Sequence, residues 1–75
     1  METTMDLVRP GVEAVVVRID AGYFLKRRLK DFGLVPGTAV RCRYRSPGRD
    51  VTALEFRGTV VALRTRDLKR ILVRT

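Results

Sequence analysis

Few side chains of this 75-residue chain could act as catalytic groups or metal ligands. The sequence has no histidine, a single cysteine at Cys42, and eight aspartate or glutamate residues. Histidine is the commonest general base and metal ligand near neutral pH, and one thiolate cannot build a zinc or iron-sulfur site. The carboxylates are scattered, with no two at the spacing of a helical or loop chelate. We therefore expect no catalytic residue, no resident metal and no cofactor.

Two local patterns look like functional motifs and are better explained by structure. The tripeptide Asp31-Phe32-Gly33 matches the magnesium-binding motif of protein kinases, but the chain lacks the glycine-rich phosphate loop and the catalytic loop that such enzymes need. The glycines stand singly rather than in a phosphate-binding cluster. Cys42 alternates with Val40 and Tyr44 along the chain, which favours a small buried hydrophobic residue over a reactive thiol.

The charge of the chain is its strongest functional signal. Sixteen lysines and arginines against eight acidic residues give a formal net charge of +8. Such a surface attracts phosphate groups, anionic lipid or an acidic protein face. Three cations fall on the outer side of a predicted helix and three on one face of a predicted strand, and these six are candidate partner contacts. They are Lys26, Arg27 and Lys30 on the helix and Arg41, Arg43 and Arg45 on the strand.

Three interpretations of these cations stay open: a solvated surface, a contact with an acidic protein, or a contact with nucleic acid. Proteins that bind single strands interleave exposed aromatic rings with positive charge. Only Tyr23 and Tyr44 are candidates for such rings, and the alternation predicts that Tyr44 points inward.

The elements that position these residues begin at two proline-glycine pairs. Pro10-Gly11 and Pro36-Gly37 predict type II turns, because proline suits the second position and glycine the third, where φ is positive. The β-branched run after the first turn predicts a strand with Val15, Val17 and Ile19 on one face.

Between the two turns the hydrophobic period changes to that of a helix. Within Tyr23–Phe32, Leu25, Leu29 and Phe32 lie at i, i+4 and i+7 and predict one apolar stripe. Gly33 can adopt the left-handed conformation that ends a helix, and Leu34 can fold back on the last turn.

The second half of the chain reads as short strands. The segment after Pro36-Gly37 alternates between apolar and charged residues, which predicts that Val40, Cys42 and Tyr44 face inward. A tight hairpin turn is predicted at Arg57-Gly58. A short helical turn over 65–70 precedes a last strand that contains Val73. Closure into a barrel is the usual way to remove the exposed edges of such strands. We therefore predict a mainly β fold: a small five-stranded SH3-like barrel with one inserted α-helix and a short C-terminal helical turn.

The length of the chain suits a single domain. We expect residues 1–6 to form an N-terminal tail and residues 7–75 to form the barrel domain. No stretch has the composition of a signal peptide or a membrane span, and a lone cysteine favours a reducing compartment. These features predict a cytoplasmic protein without direct membrane insertion.

The order of these features resembles the FeoA family, the small cytosolic component of bacterial ferrous iron transport, from about Leu7 to Val73. The similar stretches are LVRPG at 7–11, RLKDFGLVPGTAVRC at 28–42 and RGTVVALRTRDLKRILV at 57–73. The sequence departs from the family at 48–51, where the Gly-Asp-Pro that often precedes the third strand is absent.

The resemblance implies an SH3-like fold and an accessory or regulatory protein that docks on the cytosolic G-protein region of the FeoB transporter. A small basic nucleic-acid-binding barrel is the alternative function. The sequence does not decide whether the chain activates or inhibits transport, or whether it self-associates through an unpaired barrel edge.

Overall fold

The computed structural model describes all 75 residues, and its central element is one antiparallel sheet of six strands in the order β1-β6-β2-β3-β4-β5. In chain order the elements are β1 (Glu2–Thr4), a 3-10 turn (Met5–Leu7), β2 (Glu13–Ile19), α1 (Tyr23–Asp31), β3 (Ala39–Arg45), β4 (Val51–Phe56), β5 (Thr59–Arg64), α2 (Thr65–Leu68) and β6 (Ile71–Arg74). The mainly β class, the inserted helix and the short C-terminal helical turn are confirmed. The sheet has six strands rather than five, and because its outer strands β1 and β5 do not pair, the barrel is not closed.

The additional strand comes from the segment predicted as a tail. Within residues 1–6, β1 pairs antiparallel with β6, so that Glu2 lies opposite Arg74. Met5 follows directly and is wholly buried in the core. The packed fold therefore includes this segment. A strand of three residues is too short to show a periodic pattern, and the segment has no apolar run. The sequence therefore contains no local signal for β1, which pairs with the opposite end of the chain.

The end of helix α1 follows the predicted arrangement. Gly33 has φ of +94°, and its N–H donates to the carbonyl oxygen of Lys30 at 2.8 Å. The N–H of Leu34 donates to the carbonyl oxygen of Leu29 at 2.9 Å. This pair of bonds is a Schellman motif, and the burial of both leucines supplies its hydrophobic contact. The predicted turn glycines at 11, 37 and 58 also have positive φ.

The hairpin between β4 and β5 turns at Arg57-Gly58, as predicted. Both residues have positive φ, 52° and 74°, which is the type I′ geometry that matches the twist of a hairpin. The side chain of Arg57 lies over Gly33, where a Cβ atom would meet Arg57 Cδ at 3.1 Å. Glycine at position 33 therefore serves both the helix stop and the close approach of the hairpin.

A β-bulge shifts the predicted alternation of β2. The register against β6 slips between Val16 and Arg18. As a result Ala14 and Val16 are buried before the bulge and Ile19 after it, while Val15 and Val17 are half-buried. The prediction that Val15, Val17 and Ile19 share the buried face was therefore correct only for Ile19. An inserted residue changes the phase of every position on one side of it.

A second β-bulge reorients the end of β3. The register against β4 slips between Cys42 and Tyr44, so that Arg43 is the inserted residue. Val40 and Cys42 are buried, as predicted. Beyond the bulge Tyr44 lies opposite Ala53 and is 65% exposed, so the prediction that Tyr44 points inward was wrong.

We predict that Met5→Ala destabilises the protein by about 2–5 kcal/mol, the usual cost of truncating a wholly buried large aliphatic side chain. Leu7→Ala is the matched control, because Leu7 lies in the same turn and is exposed. Chemical denaturation followed by circular dichroism measures both variants. Equal, small effects would show that the N-terminal segment is not packed on the core.

Candidate interaction site

The three predicted helix cations lie together on the outer side of α1. Lys26, Arg27 and Lys30 are exposed, and with Tyr23 and Asp31 they line a shallow depression, which we call the helix face. Arg27 Nη1 donates a hydrogen bond to Tyr23 Oη at 2.8 Å, which orients both side chains. No salt bridge involves Lys26, Arg27 or Lys30. The positive charge of this surface is therefore available to a partner.

Exposed aromatic rings adjoin the helix face, a feature that the sequence prediction missed. Phe24 is 85% exposed, and its ring makes an edge-to-face contact with Tyr23 at a centroid distance of 5.5 Å. Phe32 is 44% exposed, so the prediction that it lies in the buried stripe was wrong. Phe24 precedes Leu25 by one residue, so helical geometry places it about 100° away from the buried stripe. This helical spacing is the signal from which the exposure of Phe24 could have been predicted.

The strand cations have a different electrostatic environment. Arg41 and Arg43 are exposed, as predicted, but β3 lies between two strands that carry glutamates. Glu13 and Glu55 are the cross-strand neighbours of Arg41, and Arg43 Nη1 lies 3.4 Å from Glu55 Oε1. Because opposite charges face each other across these strands, the sheet already compensates part of this positive charge.

Arg45 has an internal role, although the sequence groups it with the partner contacts. The bulge in β3 turns its side chain toward the N-terminal turn, where Arg45 Nη2 donates to the carbonyl oxygens of Asp6 at 2.8 Å and Val8 at 3.0 Å. Both acceptors lie in the stretch that directly follows the buried Met5. Arg45 therefore fixes the N-terminal turn and is only half-exposed.

We predict that Arg45→Ala lowers the free energy of unfolding by about 1.5–3 kcal/mol, since hydrogen bonds from a charged donor to backbone carbonyls are lost. Arg43→Ala, which removes only an exposed ion pair, should cost less than about 1 kcal/mol. Thermal or urea denaturation compares the two. Similar small losses for both would contradict the internal role of Arg45.

Cys42 is a buried structural residue, as predicted. Its side chain is wholly inaccessible, and burial raises the pKa of the thiol, although the charge of Arg45 opposes this effect. A raised pKa leaves less of the reactive thiolate at neutral pH.

We predict that iodoacetamide alkylates Cys42 far more slowly in the native protein than in the urea-unfolded chain, because the native thiol is both shielded and protonated. Mass spectrometry of samples quenched at successive times measures the two rates at one pH. Equal rates would show that the Cys42 side chain is accessible.

A further cluster of cations lies where β5 leads into α2, beside the loop that precedes β4. Arg49, Arg64, Arg66 and Lys69 surround Thr65 and Asp50, and we call this group the α2 cluster. None of these four cations forms a salt bridge. Arg49 comes from the loop before β4 and the other three from residues 64–69, so only the folded chain brings Arg49 to the others.

The acidic side chains do not assemble into a metal site. No three histidine, cysteine, aspartate or glutamate side chains come together in the structure. Asp20 instead binds Arg18, with Arg18 Nε at 2.8 Å from Asp20 Oδ1, and this hydrogen bond raises the pKa of Arg18. No helix combines the length and the apolar composition that are needed to cross a membrane.

A small open antiparallel sheet with one inserted helix is the architecture of an SH3-like domain. The structure superimposes with a TM-score of 0.82 on the zinc complex of FeoA from Stenotrophomonas maltophilia, which is described as a prokaryotic SH3 domain protein; the two sequences are 27% identical over 95% of this chain and 88% of that one. The predicted SH3-like fold is therefore confirmed.

The family follows from the sequence. The FeoA domain model matches residues 3–75, and the chain belongs to the FeoA family. FeoA from Chlorobium tepidum is 25% identical, with a TM-score of 0.92 over 96% of this chain and 69% of that chain. Iron(II) transport protein A from Clostridium thermocellum is also 25% identical, with a TM-score of 0.90 over 96% of this chain; this chain spans 44% of its length. No curated protein sequence is similar enough to match.

Proposed function

We propose that this protein is a cytosolic accessory protein of bacterial ferrous iron transport that docks on the G-protein region of the FeoB transporter through its helix face. Membership in the FeoA family supports a role in ferrous iron transport, and one similar structure is named as an iron(II) transport protein. The single observation that carries the choice of surface is the exposed Tyr23–Phe24 pair beside three cations without salt bridges.

The chemistry of this face favours an acidic protein surface with an apolar centre. Aromatic rings supply large contact areas, and adjacent exposed rings form the kind of apolar patch that marks an interaction site. Lys26 and Lys30, one helical turn apart, repel each other weakly in the free protein. A carboxylate on the partner relieves that repulsion and steers the approach of the two proteins.

The strand cations are expected to contribute less. Arg41 and Arg43 already face Glu13 and Glu55, so a partner carboxylate gains less from either of them. Arg45 is bonded to the N-terminal turn. Docking through α1 alone could then regulate transport by favouring one conformation of the G-protein region.

We predict that Lys26→Glu/Lys30→Glu weakens binding to the purified cytosolic domain of FeoB by about tenfold or more, because two attractive contacts become repulsive. Arg66→Glu/Lys69→Glu, in the α2 cluster, is the matched control, since it changes the net charge by the same amount. Calorimetry or surface plasmon resonance at physiological salt measures both variants.

Two outcomes would contradict the proposal. Equal weakening by both variants would show a response to net charge rather than to the helix face, and unchanged binding by both would remove that face from the mechanism. Absence of FeoB binding, together with retention on single-stranded DNA that falls steeply with salt, would instead support the nucleic-acid alternative.

A further inference from the structure

Strand β5 is an unprotected edge of the sheet. It pairs only with β4, in continuous register over six residue pairs from Phe56↔Thr59 to Val51↔Arg64. Proteins usually protect such an edge with a proline, a lysine, a bulge or a covering element. The sequence of β5, TVVALR, has no proline or lysine, and the pairing has no bulge, in contrast to β2 and β3.

The hairpin geometry fixes which backbone groups are free. A two-residue loop is closed by a hydrogen-bonded pair, here Phe56 and Thr59, and the pairs then alternate along the ladder. Val60, Ala62 and Arg64 therefore direct their N–H and carbonyl groups away from β4. All three side chains lie on the solvent face, and Val60 is 53% exposed.

We propose that β5 is the contact strand of a symmetric dimer, in which β5 of a second copy of this chain pairs antiparallel with it and continues the sheet. With the twofold axis at Ala62, Ala62 pairs with Ala62 of the other copy, and Val60 pairs with Arg64 of the other copy. Three such pairs form about six backbone hydrogen bonds. The smallest of the three side chains lies on the axis, where the two copies approach most closely.

The charges of the two copies are compatible in this register. Glu55 lies beside Val60 in the cross-strand row on the solvent face. Arg64 of the second copy extends that row, and its long side chain reaches over Val60 toward Glu55. The two Arg64 residues are four positions apart along the strand, about 13 Å, which exceeds the Debye length of about 8 Å at physiological salt. The interface therefore gains an opposite-charge contact without placing the two Arg64 side chains together.

The other edge of the sheet fits a second copy less well. β1 is three residues long, and the terminal residues Met1 and Thr75 bond to each other beside it. A pairing of β1 with β5 of another copy would also leave both outer edges open and produce an open chain of molecules. Pairing of β5 with itself closes the assembly at two copies.

Sedimentation equilibrium from micromolar to millimolar concentration tests the dimer at physiological salt. The average mass should rise toward twice the 8.5 kDa of one chain and no further. In NMR spectra over the same range, the amides of Val60, Ala62 and Arg64 should shift and become protected from exchange. A constant monomer mass, growth beyond two copies, or shifts confined to β1 or α1 would overturn the proposal.

Variants test the register. Ala62→Pro removes an outward N–H that the β4 ladder does not use and should abolish the dimer while circular dichroism stays native. Arg64→Glu should weaken the dimer by about tenfold, because two carboxylates would then face each other across the interface, and Arg64→Glu/Glu55→Arg should restore it. If Ala62→Pro does not fold, the two charge variants still test the register. Unchanged association of Arg64→Glu, or no recovery of association in Arg64→Glu/Glu55→Arg, would contradict it.

Discussion

The structure depends on the extra residue that Arg43 inserts into β3. Up to Cys42 the strand alternates regularly between core and solvent, and the bulge then reverses the direction of the following side chains. Tyr44 turns out over Ala53, and Arg45 turns in to bind two carbonyl oxygens of the N-terminal turn. That turn places Met5 in the core. One backbone irregularity therefore connects the middle of the sheet with the start of the chain.

The surfaces that remain for binding follow from this arrangement. Because Arg45 is used internally and Arg41 and Arg43 face glutamates, the strand cations are largely satisfied within the protein. The helix cations are not, and the Schellman motif at Gly33 fixes the backbone where α1 ends. The helix face presents its cations, and the aromatic rings beside them, to solvent. The proposed contact with FeoB and the proposed pairing through β5 use separate parts of the surface.

Features with a local chemical cause were predictable from the sequence. The stop at Gly33, the proline-glycine turns and the Arg57-Gly58 hairpin each depend on a few adjacent residues, and all were confirmed. The two bulges were not predictable, since the energy that selects a bulge comes from contacts across the sheet rather than from the residue inserted. Strand β1 depends on pairing between opposite ends of the chain. The exposure of Phe24 was accessible from helical spacing, whereas the α2 cluster required the tertiary fold.

The central claim is that the bulge places Tyr44 on the solvent face and Arg45 on the inner side. The most direct measurement is a nuclear Overhauser spectrum of the protein with the Tyr44 ring assigned. The structure predicts contacts from that ring to the methyl group of Ala53 and, one strand further, to Ala62. Contacts from the ring to the buried side chains of Thr52 and Leu63 would show a regular strand without the bulge, and would contradict the account.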